Sequence, residues 1–352
     1  MDRNIKKDRM IHFDLLRILA AFSVVMLHSS AQFWYTLDVN SVPWVIANSY
    51  NAMFRFGVPI FVMISGALFL APDYCLDVGR LYKHNILRLS IIYVVWSCIY
   101  GWKNCLGFGL KLTDIKPVLR EMLSGRYHLW FLPMIVGIYA LLPVLKSWIE
   151  HAEKRNIQYF LGLFLVLQIG CETMRALTVT DEIHRILNLV QVEMVCSYLG
   201  YFVLGYYLVH VGVSKKLCKI IYISVFPAAV CNIVLGAWTI QRTGRGGYLI
   251  YDSYGVFTFI IVMALFLFTV NKKPGSNVGK IGNTVIKEVA ADTMGIYVMH
   301  IALMELTENT GFQSMMLPNI IGIPVYAIAC FLICTVCAAL LRRIPFVGRY
   351  IC

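Results

Sequence analysis

The sequence predicts an all-α protein, a polytopic transmembrane bundle of about ten helices with both termini in the cytoplasm. Of the 352 residues, 59% are apolar and only 14% are charged, whereas soluble domains carry about 25% charged residues. Apolar runs of about 20 residues, the length that crosses a bilayer, recur along the chain with no soluble-like block between them. We therefore expect one membrane domain over residues 1–352.

Ten segments are long and apolar enough to be spans. They are expected at about residues 12–32, 52–71, 86–106, 129–146, 157–175, 192–210, 217–239, 254–270, 293–310 and 319–341. The first resembles a signal peptide, but it carries Asp14, Arg17 and His28, which a cleaved leader does not need, so a retained helix is expected. The ninth is the least apolar, and a partly re-entrant course stays open for it.

The distribution of basic residues predicts the direction of the bundle. With the N-terminus in the cytoplasm, 20 Lys and Arg fall on inner segments and nine on outer segments, as the positive-inside rule requires. This asymmetry accounts for the net charge of +12, and no nucleic-acid partner is expected because no basic patch lies in a soluble module. The basic loop 107–127 is the exception on the outer side. It could meet an anionic acceptor or lipid headgroups, or have no role.

Ionisable residues inside a membrane span are costly and tend to mark function. Asp14 and Arg17 are three residues apart, so they share a helix face and can pair. Arg17 and His28 are eleven apart, about three turns, which places them on nearly one face and about 16 Å apart along the axis. The alternative is an Arg17 that reaches the interface and a His28 that is bonded internally.

Two further basic residues lie at the predicted inner end of the third span. Arg88 follows Lys83 closely, and with Arg17 they would form a basic mouth. The planar guanidinium group of arginine binds phosphate through two hydrogen bonds. The alternative is ordinary positive-inside flanking of a span.

Four polar or aromatic residues in other spans have plausible packing roles. His128 and Trp130 begin the fourth span on the outer side, where an aromatic belt is common. His300 lies in the ninth span and is more typical of a packing residue, and Ser65 belongs to a small-residue helix contact. The chain has no nucleotide-binding glycine loop, HExxH or GxSxG motif, and no metal site is expected.

Several motifs together resemble one family. The first span reads Phe13-Asp-Leu-Leu-Arg17 and, after ten further residues, His28, which resembles the hallmark of membrane acyltransferase family 3. Later blocks follow in family order over nearly the whole chain. They are residues 58–70, His128-Leu-Trp-Phe-Leu-Pro133, 201–207 and 296–300.

One block of the sequence resembles a particular branch of the family, and another departs from the family pattern. The His-Leu-Trp-Phe form of the block at His128 looks like the branch that includes the enterobacterial common antigen O-acetyltransferase. The chain departs from the family at the third span, where an Arg-x-x-Arg pair is common and Asn85 stands three residues before Arg88. Lys83 could take the place of the missing arginine.

The resemblance implies an activity. It implies transfer of an acyl group, usually acetyl, from acetyl-CoA to a hydroxyl of a bacterial surface carbohydrate or its lipid-linked precursor. The enzyme would lie among the lipids of the bacterial cytoplasmic membrane, with acetyl-CoA as co-substrate and no bound cofactor. The oligomeric state is not predicted.

Roles for the marked residues follow from this chemistry. Acyl transfer to a hydroxyl needs a base or a nucleophilic carrier of the acyl group, and histidine can be either near neutral pH. His28 is therefore expected to be the catalytic residue. Arg17, Arg88 and Lys83 would bind the CoA phosphates, and Asp14 would orient Arg17. His128 and Trp130 would line the acceptor side.

Two other functions stay open from the sequence. A secondary transporter of a glycan precursor or small anionic solute would also have about ten helices with Arg and His inside them, although the sequence shows no paired inverted repeats. A non-catalytic partner in a polysaccharide assembly complex is the third possibility, and it should survive loss of His28.

Overall fold

The structure, a computed structural model, describes residues 2–107, 115–178, 197–244, 250–271, 280–308 and 310–345, together with Gly348. These ranges contain helices and turns and no strand, so the predicted all-α class is confirmed. Residues 108–114 of the basic outer loop and residues 192–196 of the sixth predicted span lie outside the described residues.

Within the described ranges we number twelve helices. The first six are α1 (Asp2–Ala31), α2 (Val42–Met53), α3 (Gly57–Phe69), α4 (Val78–Arg80, a π-helical turn Leu81–Ile86, then Leu87–Gly107), α5 (Ile115–Ser124) and α6 (Phe131–His151). The others are α7 (Lys154–Leu163, π-helical Phe164–Gly170, then Cys171–Leu177), α8 (Ser197–Tyr206, then π-helical Tyr207–Val211), α9 (Lys215–Thr243), α10 (Val256–Asn271), α11 (Lys280–Thr307) and α12 (Asn319–Arg342). A 3-10 turn, Tyr127–Trp130, leads into α6.

The helices correspond to the predicted spans. Eight described stretches are long and apolar enough to cross a membrane, α10 is a shorter apolar helix, and α8 is described from Ser197 onward. α5 was not predicted as a separate element. It is a short helix in the outer loop, with Lys116 and Arg120 on its exposed face.

Two boundaries differ from the prediction for physical reasons. The second predicted span, residues 52–71, corresponds to α3, which begins only at Gly57, so that Pro59 falls in its first turn, where its missing N–H costs no helical hydrogen bond. Residues 42–53 before it form a separate helix, α2, that was not predicted, and residues 54–56 lie between the two helices. The ninth span is one continuous helix that begins at Lys280. Its polar first half is compensated by α12, since Arg342 pairs with Glu288 and with Asp292 (Nε–Oδ1 2.8 Å).

Both ends of the described bundle lie on one side. Arg17 in the first half of α1 lines the same cavity as Thr293 of α11, and the neighbouring Asp292 pairs with Arg342 at the end of α12. The start of α1 and the end of α12 therefore share one end, as an even number of crossings requires. We call it the inner end, and the opposite end is the outer end.

α3 and α8 cross with their backbones in direct contact. A Cβ atom added to Gly66 would lie 1.8 Å from the backbone oxygen of Phe202, and one added to Gly205 would lie 2.0 Å from that of Met63. Small residues allow such close approach between membrane helices. The crossing matters for the site because α3 contributes residues to both cavities described below.

Candidate active site

Three histidines from three different elements form a cluster in the outer half of the bundle. The ring centroids of His28 on α1 and His300 on α11 are 5.1 Å apart, and those of His128 and His300 are 5.2 Å apart. The His28 and His128 centroids are 6.5 Å apart. The structure thus brings together His28, His128, which was expected on the acceptor side, and His300, for which a packing role was favoured. We call these three residues the histidine cluster.

The three rings differ in their surroundings. His300 is fully buried, and its Nδ1 lies 2.6 Å from the carbonyl oxygen of Tyr297. His128 is buried between the rings of Tyr100 and Tyr297. Nε2 of His300 has no hydrogen-bond partner among the described residues. Such groups are rare in folded proteins and call for an explanation, such as a catalytic role or a bound molecule.

An inner cavity of about 200 Å³ lies on one side of the cluster. Its polar lining residues include Arg17, Ser65 and Tyr139, whose hydroxyl is 3.3 Å from the Ser65 Oγ. Asp14 holds Arg17 through an ion pair of 2.9 Å, so the predicted pairing on α1 is present. The inner cavity is therefore a mostly apolar space with one oriented arginine at its wall.

An outer cavity of about 890 Å³ lies on the other side, and His28 forms part of its wall. Among the described residues, none lines both cavities. Along α11, Tyr297 lines the inner cavity and Ile301 lines the outer one, with His300 between them. The histidine cluster thus belongs to the layer of protein that separates the two cavities.

The outer cavity combines aromatic faces with charged groups. Trp130 packs on Tyr198 at 5.4 Å, and Tyr198 packs on Tyr254 at 5.0 Å, measured between ring centroids, and all three line the cavity. Arg55 and Glu305 line it as well. Pockets that bind organic ligands typically pair such apolar surface with a few fixed polar groups.

Arg55 is held by neighbours on three sides. Its Nε and Nη2 donate to the Asn51 Oδ1 at 3.1 and 2.8 Å, and its Nη1 lies 3.4 Å from the Asp252 Oδ1. Its guanidinium carbon lies 5.1 Å from the ring centroid of Tyr251. In turn the Tyr251 hydroxyl donates to Asn48 at 2.7 Å, so the arginine is fixed before any ligand binds.

Glu305 connects three parts of the outer end. Lys103 of α4 and Arg126 both donate to its carboxylate, and Arg126 lies over the Tyr127 ring at 5.6 Å. The Tyr127 ring is 5.6 Å from that of His28. The Tyr297 hydroxyl also donates to the His128 carbonyl oxygen. The segment around the 3-10 turn is therefore bonded to α11 twice, through Arg126 to Glu305 and through His128 to Tyr297.

The predicted site residues divide into three groups. Arg17 and Ser65 line the inner cavity, while His28 and Trp130 line the outer one, and His128 lies behind that wall. Arg88 is half-buried and Lys83 is exposed, and neither belongs to the inner-cavity lining. The structure therefore does not bring Arg88 and Lys83 into one cavity with Arg17.

Sequence reasoning gave no role to three of the charged residues at the outer cavity. These are Arg55, Arg126 and Glu305. Arg55 and Glu305 lie within candidate membrane spans. A charge at membrane depth is costly and tends to mark function, so the reasoning that singled out Arg17 could have found these two residues as well. Among the described residues, no group of three or more His, Cys, Asp or Glu side chains is placed to hold a metal ion.

The match to a protein family covers this whole arrangement. Residues 10–342 match the acyltransferase domain that defines acyltransferase family 3. The chain therefore belongs to acyltransferase family 3, and the predicted resemblance is confirmed at the level of the family. No curated protein and no solved structure matches the chain, so the predicted branch stays a prediction. The fold and the family together define a multi-pass membrane acyltransferase.

Proposed function

We propose that the protein moves an acetyl group from cytoplasmic acetyl-CoA to a hydroxyl of a cell-surface carbohydrate or its lipid-linked precursor, in the bacterial cytoplasmic membrane. The observation that carries the proposal is the position of His28. It lies in the layer between an inner cavity with an oriented arginine and an outer cavity rich in aromatic and charged groups. A donor from one side and an acceptor from the other would meet at this residue.

The inner cavity supports the donor side of the proposal. Arg17 is held by Asp14, and a fixed guanidinium group suits the phosphates of CoA. Three helical turns, about 16 Å, separate Arg17 from His28 along α1. That separation suits the pantetheine arm of CoA, whose thioester end would pass the aromatic rings of Phe131 and Tyr297 to reach the histidine cluster. Arg88 and Lys83 would contact the donor outside this cavity, since neither lines it.

The outer cavity supports a carbohydrate as the acceptor. The C–H faces of a sugar ring are apolar and pack on aromatic rings such as Trp130, Tyr198 and Tyr254. The sugar hydroxyls need hydrogen-bond partners, and Arg55 and Glu305, which line the same cavity, can supply them. The cavity is large enough for a ligand of drug-like size or more.

In the reaction, His28 acts as a general base or as an acyl carrier. As a base, it takes the proton of the acceptor hydroxyl while the oxygen attacks the thioester carbonyl carbon, the C–S bond breaks, and the proton passes to the CoA sulfur. As a carrier, a His28 nitrogen attacks the thioester carbonyl carbon, the C–S bond breaks, and CoA leaves as the thiol with the proton of the other imidazole nitrogen. The acceptor hydroxyl oxygen then attacks the acyl carbon, the N–C bond breaks, and the hydroxyl proton passes to the imidazole. In both routes the products are the O-acyl carbohydrate and free CoA.

The decisive experiment uses the purified full-length protein in lipid nanodiscs. Release of CoA thiol from acetyl-CoA is followed with surface glycan from a strain lacking the gene, and mass spectrometry checks the glycan for an added acetyl group. His28→Ala should lose the transfer. The matched control is His151→Ala, an exposed histidine at the inner end of α6, which should keep it. Transfer at the wild-type rate by His28→Ala would end the proposal.

A secondary transporter is the second candidate, and one observation favours it. Two cavities on opposite sides of a thin layer are what alternating access requires. A transporter would move labelled solute into vesicles without consuming acetyl-CoA. Acceptor-dependent release of CoA by the purified protein separates the two functions, and it also excludes the non-catalytic partner.

A further inference from the structure

His300 has one nitrogen whose protonation state follows from its neighbours. Its Nδ1 lies 2.6 Å from the Tyr297 carbonyl oxygen and 3.3 Å from that of Ile296. A carbonyl oxygen only accepts hydrogen bonds, so Nδ1 must carry the proton. In the neutral ring, Nε2 then has a free lone pair and acts as an acceptor.

This acceptor has no partner in the described part of the chain. His300 is fully buried, and its Nε2 has no hydrogen bond there. Buried polar atoms of this kind are almost always satisfied. The rings nearest to it in the cluster are those of His28 and His128, at 5.1 and 5.2 Å between centroids, a separation at which a small ring rotation brings two imidazole nitrogens into hydrogen-bond range.

The position of His28 makes it the partner that matters for chemistry. His28 lines the outer cavity, whereas His128 lines neither cavity and is enclosed by Tyr100 and Tyr297. A catalytic base is most effective when a second group fixes its tautomer and its orientation, as the third residue of a catalytic triad does for the base. Nε2 of His300 on α11 is an acceptor that can do this for His28.

We propose that His300 is a positioning residue for the reaction at His28. One His28 nitrogen donates its N–H to the His300 Nε2 throughout the reaction. The other His28 nitrogen, facing the outer cavity, is thereby left with the lone pair that takes the proton of the acceptor hydroxyl. The Tyr297 carbonyl holds His300 itself in the required tautomer. This inference rests on the proposed function, since it assigns the base to His28.

Two substitutions separate this role from a structural one. Asparagine at residue 300 can keep the donor that meets the Tyr297 carbonyl, but it has no atom in the place of Nε2. Glutamine reaches that place with an oxygen that accepts a hydrogen bond. The matched controls are His210→Asn and His210→Gln. His210 is half-buried and, like His300, bonds a backbone carbonyl oxygen, but through its other ring nitrogen, Nε2, which lies 2.8 Å from the oxygen of Ala67. It lines neither cavity.

The assay is acceptor-dependent CoA release by full-length variants that remain monodisperse in nanodiscs. General base catalysis accelerates a reaction by about 10²–10⁴-fold, and a base that has lost its orientation loses a large part of this acceleration. His300→Asn should therefore lower kcat by about 100-fold, while the KM for acetyl-CoA stays within about twofold of the wild-type value. His300→Gln should recover at least about tenfold of that loss. The His210 pair should stay within about twofold of wild type and show no such difference.

Three results would overturn the assignment. They are a wild-type kcat for His300→Asn, equal losses for the two His300 variants, and a change confined to the donor KM. If neither variant folds, 15N-histidine NMR of the otherwise unchanged protein decides, because a proton on Nε2 of His300 contradicts the proposal and a proton on Nδ1 with an N–H of His28 bonded to Nε2 supports it. Absence of wild-type acetyl transfer would instead refute the proposed function before His300 is tested.

Discussion

The crossing of α3 and α8 allows a quantitative test of the packing. A methyl group at Gly66 would lie 1.8 Å from the Phe202 oxygen, and real Cβ contacts shorter than 3.0 Å are essentially never seen. The Gly66→Ala change must therefore move the two helices apart by more than an ångström. The obstructing atom is backbone, which cannot turn away as a side chain can.

The expected cost follows from this clash. Overpacking a well-packed core costs about 1–3 kcal/mol, occasionally more. Because the obstructing backbone cannot yield, Gly66→Ala should cost about 3 kcal/mol. Gly205→Ala meets the Met63 oxygen at 2.0 Å and should cost a similar amount. Helix propensity works in the other direction, since alanine is favoured over glycine by about 1 kcal/mol in a helix interior.

Controls of the same chemistry exist in neighbouring helices. A Cβ atom at Gly137 of α6 or Gly162 of α7 meets nothing within 4 Å, so alanine there should be neutral or stabilising by up to about 1 kcal/mol. The measurement is the fraction of purified protein that stays monodisperse after heating to a series of temperatures. If Gly66→Ala and Gly137→Ala had the same midpoint, the described crossing would be wrong.

Three further outcomes are expected. Arg17→Ala should raise the acetyl-CoA KM at least about tenfold, one ionic contact being worth more than about 1.4 kcal/mol, and unchanged donor kinetics would remove its assigned role. Glu305→Leu leaves the charges of Lys103 and Arg126 without their shared carboxylate and should destabilise the protein by about 1–3 kcal/mol. The same heating assay measures this, and wild-type stability would show that the two ion pairs do not stabilise the fold. Asn232→Leu should cost about 0.6–2 kcal/mol, because the buried amide joins α9 to α2 and α10, and a stabilised variant would contradict this.

The spans could be predicted because their signal is local. Hydropathy over about 20 residues identifies a helix without knowledge of its neighbours, and each predicted span has a helix in the described structure. Hydropathy did not locate the break between α2 and α3. It placed one span at residues 52–71, whereas α2 ends at Met53 and α3 begins at Gly57, because a break of three residues hardly changes the mean hydropathy of a 20-residue window.

The site could be predicted only in part because it depends on contacts between distant helices. Spacing on α1 placed Arg17 and His28 on one face, and both line cavities in the structure. No spacing rule connects His28 with His128 and His300, since these residues lie 100 and 272 positions further along the chain. A single histidine in an apolar helix is usually a packing residue, and only the fold shows that three of them meet.

The break at residues 54–56 has a consequence for the outer cavity. Arg55 lies in the turn between α2 and α3, and it bonds Asn51 of α2 and, at the same time, pairs with Asp252 of the turn before α10. The turn between α2 and α3 is thereby joined to the segment that leads into α10. Part of the wall of the outer cavity is thus held in place by the same arginine that lines it.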